Sequence, residues 1–314
     1  MRRMAVDEVV SMLPSWRPGA ALEELAAFLS DSESLAPADR VAVFDNDGTL
    51  WCEKPAYFQL AFFRRELEAA VMARPQLAER PEYRALLGHD NAALAELGLP
   101  RIALALADLC AGLTAEEFSY RSARFLLEEQ HPTLGRPFAQ AVYQPMLELL
   151  AALRVHGFAT FIVTGGGTEF VRAVSEQLYG VPPEGVVGTL IEYEYLALDG
   201  NPELRRTGNV SGGANEGPAK VVNIQQHLGR RPVFAAGNSA GDREMIEWAL
   251  ATSGPSLGML IDHDDAGREF AYESVAVTFD SAERIVDVGR REGWTIVSML
   301  NDWSDVFPTR LVVE

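Results

Sequence analysis

Two aspartates, Asp45 and Asp47, directly follow the apolar run 41–44 in the stretch VAVFDNDGTLW. A short, wholly apolar run is typical of a strand that is buried in a parallel sheet. Two carboxylates at the rim of a core repel each other and lose hydration, which costs free energy. A metal ion would offset that cost, and so would a substrate phosphate held by the metal. The pair therefore predicts a site for a hard cation and an anion.

Two more apolar runs end in polar turns, TGGG and GNSAGD. Ligands of an open parallel sheet bind outside the carboxyl ends of its strands, so we expect these turns to meet Asp45 and Asp47. Thr164 and the amides of Gly165 and Gly166 offer hydrogen-bond donors to an anion. Asn238 and Asp242 carry the oxygen atoms that Mg2+ prefers.

Lys220 stands out because the chain strongly prefers arginine. Lys54 and Lys220 are the lysines among 27 Lys and Arg residues. A compact ammonium suits a point contact with a phosphate or carboxylate better than a forked guanidinium does. Lys220 lies at the start of a predicted helix, just before the strand that leads to Asn238, so we expect it at the same site.

The segments that must position these residues alternate between strand and helix. Apolar strands are predicted at the start of VAVFDNDGTLW and in FATFIVTGGG, RPVFAAGNS, SLGMLIDHDDAG and GWTIVSML. Helices of ten or more residues separate several of them, which indicates a parallel α/β sheet. The stretch VVGTLIEYEYLALDGNPELRRTG predicts a hairpin that turns at its Asp-Gly pair.

A block of helical patterns interrupts this alternation at residues 52–140, where Pro and Gly separate the helices and no strand is indicated. Within it, EYRALLGHDNAALAELG suggests one helix. We therefore predict an α/β core of residues 1–51 and 141–314 with an inserted all-helical cap of residues 52–140.

Composition excludes several classes of function. The chain has 314 residues, 48% hydrophobic side chains and a net charge of −18. Nucleic acids and anionic membranes need a basic surface, so neither is an expected partner. No apolar run approaches a membrane span or a signal peptide. Cys52 and Cys110 give no disulfide framework, which favours the cytoplasm.

Four features of the chain resemble, in this order, the four motifs of the haloacid dehalogenase superfamily: DNDGTL, VTGG, the isolated Lys220 and GNSAGD. A helical insertion directly after the first motif is similar to the phosphoserine-phosphatase-like branch. The match covers about residues 41–270, and four ordered motifs are far more specific than DxDGT alone. The resemblance implies a Rossmann-like core, a Mg2+ cofactor and a small phosphorylated metabolite as substrate.

The resemblance also implies a role for each motif residue. Asp45 would attack phosphorus and form an aspartyl-phosphate. Asp47 would protonate the leaving oxygen and then deprotonate the attacking water. Thr164 and Lys220 would hold the phosphoryl oxygens. The implied metal ligands are Asp45, Asp47, Asn238 and Asp242.

Two departures from the family pattern concern the metal and the substrate. The last motif usually begins Gly-Asp, whereas Asn238 brings an uncharged oxygen, so we expect either weaker Mg2+ binding or Asp242 as the main ligand. Phosphoserine phosphatases place a substrate-binding glutamate where this chain has Lys54, with Glu53 one residue earlier. Lys54 favours an anionic substrate group and argues against phosphoserine itself.

Several functions fit these motifs to different degrees. Phosphomonoester hydrolysis is our prediction, with phosphotransfer to another acceptor and a phosphate-binding regulatory protein as alternatives. Asp47 argues against a 2-haloacid dehalogenase, which lacks the second aspartate. A phosphonatase, with Lys54 as its Schiff base, also fits the motif pattern poorly.

Residues outside the motifs carry weaker signals. We predict Trp51 as a substrate contact because it lies so close to the nucleophile in sequence. The aromatic residues of the following segment would either pack the cap or line a substrate pocket. His131, Arg136 and His263 are candidates without an assigned role.

Overall fold

The computed structural model describes residues 6–198, 201–275 and 283–309. Its strands are β1 (Val41–Phe44), β2 (Ala159–Gly167), β3 (Val186–Leu198), β4 (Asn201–Ser211), β5 (Phe234–Gly237), β6 (Leu257–Asp262) and β7 (Thr295–Ser298). Its helices are α1 (Val6–Ser11), α2 (Ala20–Ser32), α3 (Phe58–Ala73), α4 (Pro81–Leu87), α5 (Asn91–Leu97), α6 (Leu99–Leu109), α7 (Ala115–Glu128), α8 (Gln144–Val155), α9 (Thr168–Arg172), α10 (Ser175–Tyr179), α11 (Pro218–Leu228), α12 (Arg243–Leu250), α13 (Ile285–Glu292) and α14 (Met299–Asp302).

The strands form one sheet in the order β4-β3-β2-β1-β5-β6-β7. All neighbours run parallel except β3 and β4. Val43 in the central strand pairs with Phe161 on one side and with Ala235 on the other, so β1, β2 and β5 end at the same edge. The predicted parallel α/β sheet is confirmed. It brings the three polar turns together.

Central strand β1 is buried along its whole length. Helix α2 covers one face of the sheet: the ring of Phe28 lies 5.7 Å from the rings of both Phe158 and Phe234. This packing explains why β1 is a continuous apolar run, since a strand covered on both faces exposes neither set of side chains.

Five of the six helices between β1 and β2, α3 to α7, form the helical insertion. They share an aromatic core in which Phe62 meets Phe118 edge to face at 5.6 Å. The β3–β4 hairpin joins this helical block: Gly112 donates its backbone N–H to the carbonyl of Arg206, and Arg206 donates to that of Leu113. The insertion is helical, and a strand pair of the sheet packs against it.

One sequence expectation for local structure is wrong, and another is confirmed. The predicted helix EYRALLGHDNAALAELG is split into α4 and α5, because His89 adopts φ 50° and the Asp90 side chain caps the second helix at Ala93. The predicted hairpin is present as β3 and β4, although its Asp-Gly turn, 199–200, lies outside the described residues. Within the described part of the chain, no helix has both the length and the apolar character needed to cross a membrane.

Candidate active site

Asp45 follows β1 directly, and the loop after it turns tightly over the end of the sheet. The Asp45 amide donates to the carbonyl of Ala236 in β5 at 2.9 Å. Gly48 has φ +75°, and a Cβ atom there would lie 1.9 Å from Asn238 Nδ2. Glycine is therefore required, both by the left-handed backbone and by the lack of space. The turn brings the first and last motifs into contact.

The ammonium of Lys220 lies between two carboxylates. Its Nζ atom is 2.6 Å from Asp45 Oδ1 and 2.5 Å from Asp242 Oδ1, and all three side chains are buried. Asp242 Oδ2 accepts hydrogen bonds from the amides of Asn238 and Ser239 at 3.0 Å and from the Ser239 hydroxyl at 3.2 Å. Both oxygens of Asp242 thus bind protein donors, and the carboxylate holds Lys220 against Asp45.

Asp47 lies between the indole of Trp51 and the glycine-rich end of β2. Trp51 Nε1 donates to Asp47 Oδ1 at 2.9 Å. A Cβ atom on Gly166 would lie 3.7 Å from Asp47 Oδ2, so this second oxygen faces the end of β2. Trp51 is 1% exposed, with its ring 4.9 Å from that of Phe58. The structure therefore places Trp51 behind Asp47, where it orients the carboxylate.

Residues 164–167, expected from the sequence to form a turn, are instead the last part of β2, and two residues that no sequence pattern indicated hold them in place. Thr164 Oγ1 accepts from the amide of Gly166 at 3.0 Å. Gln59, in the first turn of α3, accepts from the amide of Gly167 at 2.8 Å, and Asn215 Nδ2 donates to the carbonyl of Thr164 at 3.0 Å. No local pattern connects Gln59 or Asn215 with β2, because their contacts arise from the tertiary fold.

Two oxygen atoms at the site compete for one donor. Asp45 Oδ2 lies 3.3 Å, and Asn238 Oδ1 3.4 Å, from the hydroxyl of Thr49. A hydroxyl donates a single hydrogen and cannot satisfy both acceptors. A carboxylate and an amide oxygen that converge in this way suit a hard divalent cation, so these residues fit Mg2+. Among the described residues, no three His, Cys, Asp or Glu side chains form a metal site by themselves.

Burial and charge perturb the titration of the site residues. Burial, followed by the charge of Asp242, raises the pKa of Asp45 well above its ordinary value, and Lys220 opposes this. Burial also raises the pKa of Asp47, against the hydrogen bond from Trp51. Burial disfavours the ammonium of Lys220, but the charges of Asp242 and Asp45 prevail and raise its pKa. Lys220 therefore remains a cation beside the proposed nucleophile.

Glu53 and Lys54 lie just beyond the nucleophile loop. Glu53 Oε1 accepts from Asn238 Nδ2 at 3.3 Å. Burial raises the pKa of Glu53 to about 7, while the charge of Lys54 opposes the shift. Lys54 Nζ lies 3.9 Å from Glu53 Oε1 and 4.4 Å from the centre of the Tyr272 ring. Its side chain is 34% exposed, which leaves it able to contact a ligand.

The glycines of the second motif differ in their surroundings. Gly166 faces Asp47, as described above, whereas Gly165 faces Glu216: a Cβ atom on Gly165 would lie 2.5 Å from Glu216 Oε1. Glu216 therefore lies across the segment predicted to bind an anion. Its position could not be predicted from its place before α11.

The three residues without a predicted role brace the surrounding loops. His131 Nε2 lies 2.9 Å from the carbonyl oxygen of Lys54, and His263 Nε2 lies 2.8 Å from that of Gly48. Each of these nitrogens must carry the proton, since a carbonyl only accepts. Arg136 stacks over the ring of Phe307 at 4.8 Å and so supports the end of the chain. The histidines position loop carbonyls from outside the cluster around Lys220.

Comparison with known families gives one match. A family model described as haloacid dehalogenase-like hydrolase matches residues 42–247, which include all four motifs and the helical insertion. A search of curated proteins found no match.

Solved structures with the same fold are distant in sequence. A protein with unknown function from Bordetella pertussis Tohama I is 18% identical, with a TM-score of 0.53 and coverage of 82% of this chain and 97% of that one. A functionally unknown protein from Anaerococcus prevotii DSM 20548 is 13% identical, with a TM-score of 0.52 and coverage of 79% and 86%. A probable phosphoserine phosphatase from Vibrio cholerae is 16% identical, with a TM-score of 0.42 and coverage of 79% and 64%. For the first two structures, the similarity at these identities concerns the fold alone.

Proposed function

Because the chain belongs to the haloacid dehalogenase-like hydrolases, we propose that it is a Mg2+-dependent phosphomonoester hydrolase acting on a small phosphorylated metabolite. The observation that carries this proposal is the buried contact of Lys220 with Asp45 and Asp242, at 2.6 and 2.5 Å. It places a fixed cation beside a carboxylate, at the strand ends where Thr164 and Asp47 also lie. A nucleophile, an acid–base group and a charge stabiliser are thus adjacent.

The proposed reaction has two displacements at phosphorus. In the first, a carboxylate oxygen of Asp45 bonds to phosphorus, the bond to the leaving oxygen breaks, and Asp47 gives that oxygen its proton. In the second, Asp47 takes a proton from water, the water oxygen bonds to phosphorus, and the bond to Asp45 breaks. Lys220 and the hydroxyl of Thr164 offset the charge on the phosphoryl oxygens.

The metal would be held by the two converging oxygens, Asp45 Oδ2 and Asn238 Oδ1, together with the backbone carbonyl of Asp47. When bound, Mg2+ supplies positive charge that neutralises phosphoryl oxygens. Asp242, predicted from the sequence as a fourth ligand, is better explained as the residue that positions Lys220, because both of its oxygens already bind protein donors.

The helical insertion of residues 52–140 would act as a cap that closes over the site and excludes water. Gln59 supports this role, since it links the first turn of α3 to the end of β2. The free, buried thiols of Cys52 and Cys110 suit the cytoplasm.

Hydrolysis of p-nitrophenyl phosphate by the wild type and Asp45→Asn, each with Mg2+ and with EDTA, tests the proposal. We expect Mg2+-dependent release of inorganic phosphate that Asp45→Asn abolishes. Nitrophenolate release without inorganic phosphate would indicate transfer to another acceptor. A folded wild type without turnover that still binds beryllium fluoride in the presence of Mg2+ would favour a regulatory phosphate-binding protein.

A further inference from the structure

A cleft of about 640 Å³ opens beside the active site, lined by one side of α3, the start of α5 and the end of α7. Its inner end is formed by Glu53 and Lys54, and Glu53 contacts Asn238 of the last motif at 3.3 Å. The cleft therefore begins where a bound phosphoryl group would end. Its volume is that of a small-molecule site and far exceeds the needs of a phosphate alone.

One face of α3 forms the long wall of this cleft. Tyr57 precedes the helix, and Leu60, Ala61 and Arg64 follow at the three- and four-residue spacing that puts side chains on one face. At 1.5 Å per residue, the helix covers roughly 10 Å between Tyr57 and Arg64. The wall is thus aromatic near the active site and aliphatic in its middle, and its far end carries Arg64 together with Arg65 and Glu68.

Arg64 differs from its neighbour Arg65. The guanidinium of Arg65 pairs with Glu129 at 3.3 Å and with Glu68 at 3.9 Å. By contrast, Arg64 Nε is buried and has no hydrogen-bond partner in the described part of the chain. Burial also lowers the pKa of Arg64. The side chain as a whole is half-buried and lines the cleft, so an anionic ligand there would give the guanidinium a partner for its charge.

We propose that the cleft binds the organic part of the substrate and that Arg64 binds a second anionic group at its far end. The substrate class is then a phosphomonoester whose apolar body carries a carboxylate or a further phosphate roughly 10 Å along α3 from the reacting end. Lys54, at the inner end, would contact the substrate near its phosphoryl group. This inference rests on the proposed function for the place of the reacting phosphoryl group.

A chain-length series tests this class directly. The probes are ω-phosphonooxy alkanoic acids of increasing length, each matched with the n-alkyl phosphate that lacks the carboxylate, and the corresponding α,ω-bisphosphates. We expect the wild type to show a kcat/KM at least tenfold higher for the acid or the bisphosphate than for the alkyl phosphate, at one best length. Which of the two is preferred identifies the second anion. Equal values at every length would overturn the inference.

Substitutions of Arg64 test whether this residue causes the preference for the anionic probe. Arg64→Met should remove this preference, with a roughly ten- to hundredfold loss of kcat/KM for the anionic probe and a much smaller change for the alkyl phosphate. Arg64→Lys should retain part of it. Arg124→Met is the matched control, because Arg124 lies on cap helix α7, outside the cleft lining, and pairs with Glu128. Retention of the preference in Arg64→Met would also overturn the inference.

Binding separates a failure of this inference from a failure of the proposed function. Calorimetry with Asp45→Asn measures the affinity for each probe without turnover. One outcome is that the anionic probe binds more tightly in a length-dependent way while the wild type releases no phosphate. This outcome would support the cleft assignment and reject the hydrolase. Phosphate release from the alkyl phosphates, with no preference in either measurement, supports the hydrolase and rejects the cleft assignment.

Discussion

Asp242 is the residue for which sequence and structure suggest different roles. Its motif position implies a metal ligand, whereas its oxygens bind Lys220, two backbone amides and a hydroxyl. A carboxylate with this many donors is fixed in place, and through it Lys220 is fixed too. We therefore propose that Asp242 positions the ammonium of Lys220.

Asp242→Asn should lower kcat at least tenfold while the Mg2+ concentration for half-maximal activity stays nearly unchanged. Because Lys220 would lose one partner of a buried pair, we expect the free energy of unfolding to fall by about 3 kcal/mol. Mg2+ titration of the activity and urea unfolding measure the two effects. Ser239→Ala is the control, because it removes the 3.2 Å bond to Asp242 and the bond that the hydroxyl accepts from the Gly241 amide but leaves the bond between Asp242 and Lys220. A preserved kcat with a much higher Mg2+ requirement would instead make Asp242 a ligand.

Glu269 is a buried carboxylate behind the nucleophile loop. It accepts hydrogen bonds from the thiol of Cys52 at 3.0 Å and the hydroxyl of Tyr143 at 2.9 Å, and it lies 3.3 Å from His263 Nδ1. Burial alone would raise its pKa, but the hydrogen bond and charge of His263 outweigh burial, and the pKa lies below the ordinary 4.5. The ionised form is thus the one that the fold stabilises.

Glu269→Gln should lower the free energy of unfolding by about 2 kcal/mol at pH 7. Because the pKa of Glu269 is lower in the folded protein than in the unfolded chain, its ionisation stabilises the fold. This stabilisation is complete above the unfolded pKa, near 4.5, and is lost as the pH falls through the folded pKa. The difference between wild type and variant should therefore shrink below pH 4.5 in urea unfolding. Glu273→Gln, near the surface, should change stability by less than about 0.5 kcal/mol. A difference that is constant with pH would contradict this account of Glu269.

At the scale of elements, the contact between α3 and β2 links the helical insertion to the sheet. Gln59→Ala removes the acceptor for the Gly167 amide and so frees the first turn of α3. We expect KM for p-nitrophenyl phosphate to rise severalfold with a smaller change in kcat, and amide exchange at the start of α3 to accelerate. Gln76→Ala, at an exposed position of the same insertion, is the control. Unchanged exchange and unchanged KM would show that this contact does not position the cap.

The order of strands and helices could be predicted from the sequence because a buried strand appears as a continuous run of apolar residues. β1 is apolar throughout, Thr164 lies near the polar end of β2, and Asn238 directly follows β5, so the parallel topology predicted that these residues meet at one edge of the sheet. Lys220 could be predicted as a site residue because lysine is rare in this chain. Gln59 and Asn215 could not be predicted, because each contacts a segment distant in sequence. Backbone conformation at a single residue, as at His89, also divides a helix that the apolar pattern alone would continue.

At the scale of the whole molecule, Mg2+ binding should appear as global stability. A cation that binds only the folded state adds about 2.7 kcal/mol to the free energy of unfolding at a hundredfold excess over its Kd. We expect this gain in the wild type and its loss in Asn238→Ala, which removes one of the two converging oxygens. Asn209→Ala, at an exposed position of β4, should keep the Mg2+-dependent gain in the free energy of unfolding. An equal gain in Asn238→Ala would exclude Asn238 as a ligand.

The most direct test of catalysis through Asp45 is a rapid-quench experiment on Asp47→Asn with p-nitrophenyl phosphate and Mg2+. Nitrophenolate leaves without a proton donor, whereas hydrolysis of the phosphoenzyme needs a general base, which this variant lacks because an amide does not take up the proton. We predict a burst of one nitrophenolate per active site, together with a protein mass increased by one phosphoryl group, and neither in the Asp45→Asn/Asp47→Asn double variant. Steady nitrophenolate release without a burst or an adduct, or an adduct that persists in the double variant, would contradict a covalent role for Asp45.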